Sequence, residues 1–214
     1  MHQKKYVELL ERFLPSDAVH YCYDLWINYP FHLKITRSRQ SKLGDYRYSP
    51  NQKSHTITIN QNLNPYNFLI TYIHEVAHLV THVQYNGRIL PHGKEWKKTF
   101  QELMMPMLSN LVFPDDILRP LMKYMKNPAA SSCSDPGLFK ALRQYDEETS
   151  LVMLSELLSG EQFIFHHRFF TKEKIRRTKV LCTEVHSGKK YLIPQLAMVL
   201  KVEDAGAILE KSCG

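Results

Sequence analysis

Apolar and polar positions along the chain change period several times, and the changes outline its elements. Residues 4–14 and 16–28 repeat at helical spacing on either side of Pro15, with Ser16 or Asp17 placed to cap the second helix. In HLKITR, Leu33 and Ile35 alternate with polar neighbours, which predicts a strand over 32–37. The basic turn SRQSKLGD follows, where Gly44 is expected to supply a special backbone conformation. YRYS and HTITIN, with Ile57 and Ile59 on one face, predict two more strands and hence a small meander-like antiparallel sheet. Asn64-Pro65 then opens a long helix that closes at Asn86-Gly87. A further helix begins near His92-Gly93 and stops before Pro106, carrying Trp96, Phe100, Leu103 and Met104 at core spacing. Residues 114–126 predict another helix after Pro114-Asp115.

The stretch NPAASSCSDPG (127–137) is small, polar and proline-bearing, which marks it as a domain boundary. Residues 135–158 read as helical and 162–202 as a run of strands, two of them split by a turn at Ser187-Gly188. The expected fold is α+β. A helical core with a small antiparallel sheet occupies residues 1–128, and a helix plus a small β-rich module occupies 135–214.

Composition adds bounds. With 43% hydrophobic and 23% charged residues among 214, the chain can bury a sizeable core. No stretch approaches 18 consecutive apolar residues, so no membrane partner is expected. The N-terminal segment has Glu8 and Glu11 within its apolar period and reads as an amphipathic helix, not a signal peptide. Four cysteines (Cys22, Cys133, Cys182, Cys213) lack CxxC spacing, which argues against a disulfide framework and for a cytoplasmic protein. The net charge of +7 leaves a polyanionic partner open.

The chemistry lies in YIHEVAHLVTHVQYNGRILPHGKEW. His74 and His78, four apart, share one helix face and can point at a single ion about 2 Å from each nitrogen. Glu75 beside them is aimed differently and can reach a water at the ion to take its proton. A chance HExxH is expected about 0.03 times in a chain of this composition, so context must support it. It does: Leu69, Ile73, Val76, Val80 and Val83 fall within about 80° on one side, leaving Thr71, His74, Glu75, His78 and His82 on a narrow polar strip. The plain alternative is the polar face of an ordinary helix.

A third ligand is required. His82 stands about 12 Å from His74 by helical rise alone, too far to share a tetrahedral ion, and reads as a neighbour of the site. His92, brought back by the turn after Asn86-Gly87, is the better candidate, with Gly93 removing bulk beside it. A plain histidine at a helix start is the other reading.

HEVAHLVTHVQYNGRILPHGKEWKK resembles the core of the SprT-like zinc metallopeptidase family, in which HExxH is followed by HG and an aromatic. ITRSRQSKLGDYR through HTITINQNLNPYNFLITYI is similar to that family's sheet and its entry into the metal helix. The likeness spans roughly residues 15–105 and implies one zinc ion held by His74, His78 and His92, with Glu75 as catalytic base. It implies a peptidase for protein or peptide substrates, in some members proteins attached to DNA. Many members continue into a cysteine-rich zinc ribbon. Here the tail keeps Cys182 alone, so His166, His167, Cys182 and His186 are weak candidates for a second zinc.

That tail carries nine Lys or Arg within 162–202 against Glu173 and Glu184, interleaved with Phe163, Phe165, Phe169, Phe170 and Tyr191. Such a surface suits DNA backbone contact and base stacking. The plain reading is a packed small core with a soluble charged exterior. Three function classes are therefore expected: a zinc peptidase, a zinc hydrolase of another bond, and a nucleic-acid-binding module whose metal is structural. Oligomeric state is not legible.

Overall fold

The structure, a computed structural model, describes residues 2–39, 42–131, 134–147 and 151–203. Two compact units divide the chain, residues 1–146 and 147–214. No helix of the described residues is long and apolar enough to cross a membrane.

In the first unit the elements run α1 (His2–Glu11), α2 (Val19–Asn28), β1 (His32–Thr36), β2 (Gly44–Ser49), β3 (Ser54–Asn60), α3 (Pro65–Tyr85), α4 (Lys94–Met104), α5 (Asp115–Met125) and α6 (Pro136–Arg143). The expected α+β composition holds, but the sheet is not a meander. Its order is β1-β3-β2, with β3 antiparallel to β2 and parallel to β1. The β2–β3 hairpin thus places β3 in the middle, where Ile57 and Ile59 turn fully buried side chains into the core. β1 and β2 are the two edges.

Helix α3 packs against β2, β3 and α4 and forms the axis of the unit. Local chemistry sets both its ends. The Asn64 side chain accepts the Asn67 N–H at 2.9 Å, and Pro65 takes the first helical position, where no donor is needed. Asn86 ends the helix in the left-handed region at φ 51°, and Gly87 follows at φ +69°. Leu69, Ile73, Val76 and Val80 are buried as their spacing predicts, whereas Val83, near the C-terminal end of the helix, is 49% exposed.

The predicted helix over 135–158 ends at Arg143, and residues 151–153 form a strand instead. Helix α6 also belongs to the first core: Leu138, Ala141 and Leu142 are buried in it. The division expected between 128 and 135 assigns this helix to the C-terminal module, while the compact units part at 146/147. One tie is Asn64, whose Nδ2 donates to the Leu142 carbonyl at 2.8 Å and to Asp146 Oδ1 at 2.6 Å.

The second unit contains β4 (Leu151–Met153), β5 (Gln162–Phe165), β6 (Arg168–Arg176), β7 (Lys179–Glu184), β8 (Lys190–Pro194) and β9 (Met198–Lys201). They form one antiparallel sheet in the order β4-β9-β5-β6-β7-β8. His166 and His167, both at positive φ, make the tight β5–β6 turn, and Gly188 at φ +66° completes the turn expected after Ser187. Phe163, Phe170, Val180, Cys182, Ile193 and Val199 fill the core. Lys172 joins them at 2% exposure, its Nζ donating to the carbonyls of Ser155 and Leu157.

Candidate metal centre

The three predicted histidines come together. His92 Nε2 lies 3.0 Å from His78 Nε2 and 3.2 Å from His74 Nε2. Among the described residues these are the three whose ligand atoms gather within 4.8 Å of one another. Two imidazole nitrogens bonded to one tetrahedral ion at about 2 Å stand about 3.3 Å apart, so the trio has the spacing that a divalent ion requires.

Each arrives by a different local device. His74 and His78 share a face of α3 one turn apart. His92 occupies the third position of a β-turn led by Pro91, closed by Gly93 N–H donating to the Leu90 carbonyl at 3.0 Å. Its φ of 60° is unusual for a residue with a side chain, and such strain costs on the order of 1–3 kcal/mol. Gly93 serves this turn, since an added Cβ would sit 3.0 Å from the Leu90 oxygen.

Trp96, in the first turn of α4, is fully buried and touches all three rings, with centroids 4.6 Å from His74, 5.2 Å from His78 and 4.6 Å from His92. The indole is thus a common backing for the trio. Burial is the leading cause that holds all three imidazoles below their ordinary pKa: His74 well below, His78 down to about 4, and His92 more mildly. Neighbouring imidazoles add to the effect on His74 and His78. Neutral rings present lone pairs at physiological pH, the form a metal needs.

Glu75 lines the same cleft but stands outside the trio. Burial raises its pKa to about 8, with the Asp45 carboxylate adding repulsion, while the Tyr46 backbone N–H, Arg39 and Lys42 oppose the rise. Asp45 is itself held below the usual carboxylate range by Lys42 Nζ at 2.8 Å and Arg47 Nε at 2.6 Å. The cleft encloses about 440 Å³ between β2, α3 and the His92 turn.

Residues 23–113 match the SprT-like family. The matched segment begins within α2 and carries the whole sheet, α3, α4 and every residue of the trio. α1, α5, α6 and the second unit lie beyond it. The curated proteins and the solved structures yielded no match.

His82, expected as a neighbour of the site and not a ligand, lines the cleft and packs on Tyr48, with centroids 4.5 Å apart. Two contributors escaped the sequence reading. Tyr46 gives its backbone N–H to Glu75 and sets its ring parallel to that of His78 at 6.5 Å. Gly44 has no positive φ, contrary to the expected special conformation. What it provides is room, because an added Cβ would lie 2.6 Å from Glu75 Oε1.

Of the weak second-zinc candidates, Cys182 is buried in the core of the second unit, and His166, His167 and His186 are exposed. Among the described residues these four form no ligand cluster. Cys22 is a buried free thiol, and Cys133 and Cys213 lie outside the described residues.

Proposed function

We propose that the first unit is a zinc-dependent peptidase in which His74, His78 and His92 hold one zinc ion and Glu75 is the general base. Three imidazoles with no thiolate are a donor set suited to zinc in a catalytic role. Bound there, zinc supplies Lewis acidity, polarising the substrate carbonyl and acidifying a water. Glu75, fixed by the Tyr46 N–H and favoured in its ionised form once a divalent cation stands beside it, would accept the proton of the attacking water and return it to the leaving nitrogen. Trp96 keeps the three rings from turning, and the buried floor of the cleft limits competing water.

The observation that carries this reading is the convergence of three Nε2 atoms beside a buried carboxylate in an open cleft. A purely structural zinc closes its coordination with a fourth protein ligand. Among the described residues no fourth His, Cys, Asp or Glu joins the trio, which favours the catalytic reading. The test is Glu75→Gln: zinc content is expected to stay at one per chain while hydrolysis of casein or a peptide falls at least 10³-fold. Hydrolysis unchanged in that variant removes the mechanism.

For the second unit we propose contact with nucleic-acid backbone, which would direct the peptidase to DNA-associated proteins. Lys174, Arg176, Lys179 and Lys190 share the outer face of β6–β7–β8 with Leu181 and Leu192, by register and alternation. The support is electrostatic. Phe163 and Phe170 are spent on the core, Arg168 is bound to Glu184 and Tyr191, and Lys172 is buried. DNA affinity is expected to fall with a log–log salt slope of about −3 to −4 for four such contacts on a duplex. A slope near zero ends this part of the proposal.

A further inference from the structure

Beside the main cleft lies a second recess of about 140 Å³, lined by Glu75 and His74 but not by His78 or His92. We propose that it is a side-chain subsite that receives a small or medium uncharged residue of the substrate next to the scissile bond, an inference that rests on the peptidase reading.

The position follows from shared walls. Lys42, Gly44, His74, Glu75 and Ala130 line both the main cleft and this recess. A peptide whose reacting carbonyl stands at Glu75 has its two flanking Cα atoms only about 3.8 Å from each other, so one flanking side chain comes within reach of the opening.

The size follows from the volume. An engineered core cavity of about 150 Å³ admits a benzene ring. Valine, threonine and leucine side chains fit such a space, and an indole or an extended arginine does not.

The charge class follows from the lining. Ile70 and Thr71 of α3, both buried, offer a methyl-rich floor, and Leu43 and Ala130 add hydrocarbon at the sides. The cation in the wall, Lys42, is already committed to Asp45. An acidic side chain would face Glu75 without a counter-ion, and a basic one would tie up the carboxylate that must move the proton.

The outer wall, Ala130 and Ser131, comes from the segment after α5, beyond the residues that match the family model. This segment is seated firmly. Tyr124 OH donates to the Ala129 carbonyl at 2.8 Å, Lys97 Nζ to Asn127 Oδ1 at 2.6 Å, and Gln101 Nε2 to the Met125 carbonyl at 2.6 Å. The floor and the charge of the recess thus belong to the matched core, and its outer limit is set by this chain's own loop.

The experiment uses the full, zinc-loaded chain and a peptide series varied at each residue flanking the cleaved bond, with products read by mass spectrometry. At one flanking position, kcat/KM for Val and Leu is expected to exceed that for Trp, Asp and Lys by at least tenfold. Ala130→Phe, with its melting temperature checked, is expected to bring Val and Leu to within threefold of Gly. Binding of the same peptides to the Glu75→Gln protein, by calorimetry, gives a readout without turnover and is expected to keep the size preference, Val and Leu over Trp, while the discrimination against Asp and Lys weakens with the lost carboxylate. Cleavage with a flat profile at both flanks, or a profile that Ala130→Phe leaves untouched, overturns the subsite while the peptidase reading stands. If no peptide is cleaved, the peptidase reading falls and binding decides the recess: a tenfold preference lost in the Ala130→Phe, Glu75→Gln protein supports it, and equal binding overturns it.

Discussion

Gly44→Ala tests whether Glu75 owes its position to the side chain that strand β2 lacks. The added Cβ would lie 2.6 Å from Glu75 Oε1, 2.8 Å from Glu75 Cγ and 2.7 Å from Thr71 Cγ2. Carbon contacts are comfortable at about 3.5–4.0 Å, so something must retreat by about 1 Å. Thr71 is buried and its Oγ1 is bonded to the Asn67 carbonyl at 2.8 Å, so its rotamer is fixed. Helix α3 is packed in the core and cannot slide. That leaves Glu75 to swing aside or β2, an edge strand, to move outward and take the Tyr46 N–H with it. Either path displaces the carboxylate, and a misplacement of about 1 Å costs on the order of 10²-fold in rate. Stability should change less. Gly44 has no left-handed backbone, so alanine gains about 0.4–1 kcal/mol from a stiffer unfolded chain, against about 1–3 kcal/mol for overpacking. The net loss of about 1–2 kcal/mol lowers the melting temperature by only a few degrees. The assay is kcat and KM on one peptide, with zinc content and a thermal melt on the same preparation. Adding Thr71→Ser, which removes the crowding methyl but keeps the hydroxyl, is expected to restore part of kcat. A Gly44→Ala protein that keeps its zinc and works within twofold of wild type refutes the reasoning.

His92→Ala is expected to lower zinc affinity at least 10²-fold with the fold intact, read by competition with a chromophoric chelator; unchanged affinity removes His92 from the site. Asn64→Ala removes a helix cap and one of the donors to the Leu142 carbonyl and to Asp146, for a loss of about 1–3 kcal/mol in urea unfolding of the first unit, and a loss under 0.5 kcal/mol contradicts the double role. Glu184 is held down to about 2 by Arg168 and then Ser187, below its unfolded value of about 4.3. Its stabilising contribution is complete above that unfolded value and disappears as pH falls toward 2, so Arg168→Met should flatten the acid limb of the second unit's stability curve. Burial depresses the Lys172 ammonium below its unfolded value of about 10.4, so the folded unit releases that proton first. The second unit therefore gains stability as pH climbs toward the unfolded value, and Lys172→Met should lose that gain in melts on the alkaline side.

Helix α3 was legible because each end is written locally, Asn64-Pro65 at one and Asn86-Gly87 at the other, and because i, i+4 spacing puts His74 and His78 on one face. The strands were legible by alternation, but their pairing was not. β3 lies between β1 and β2 and runs parallel to β1, and no residue within β1 reports that. Residues 151–153 looked helical, yet they pair with Met198–Leu200, some fifty positions away, and that partner outweighs local propensity. Phe163 and Phe170 face each other across β5 and β6 in the core, so these two follow the period of a strand and are not free to stack, whereas Phe169 beside them is 49% exposed. The same limit governs the site. His74, Glu75 and His78 announce themselves because their function is in reactive side chains, and the turn that aims His92 carries Pro91 as a marker. Gly44 contributes an absent Cβ, Tyr46 a backbone N–H, and Ala130 a wall too short to fill the recess. None of these has a distinctive side-chain chemistry to read, and each acts only once α3 has placed Glu75 against it. The candidate reactive groups are therefore encoded in residue types on one helix and the turn after it, while the room around them is encoded in two separate segments, one inside the family match and one beyond it. On that division, substitutions at Gly44 should affect turnover for every substrate, and substitutions at Ala130 should affect the choice among them.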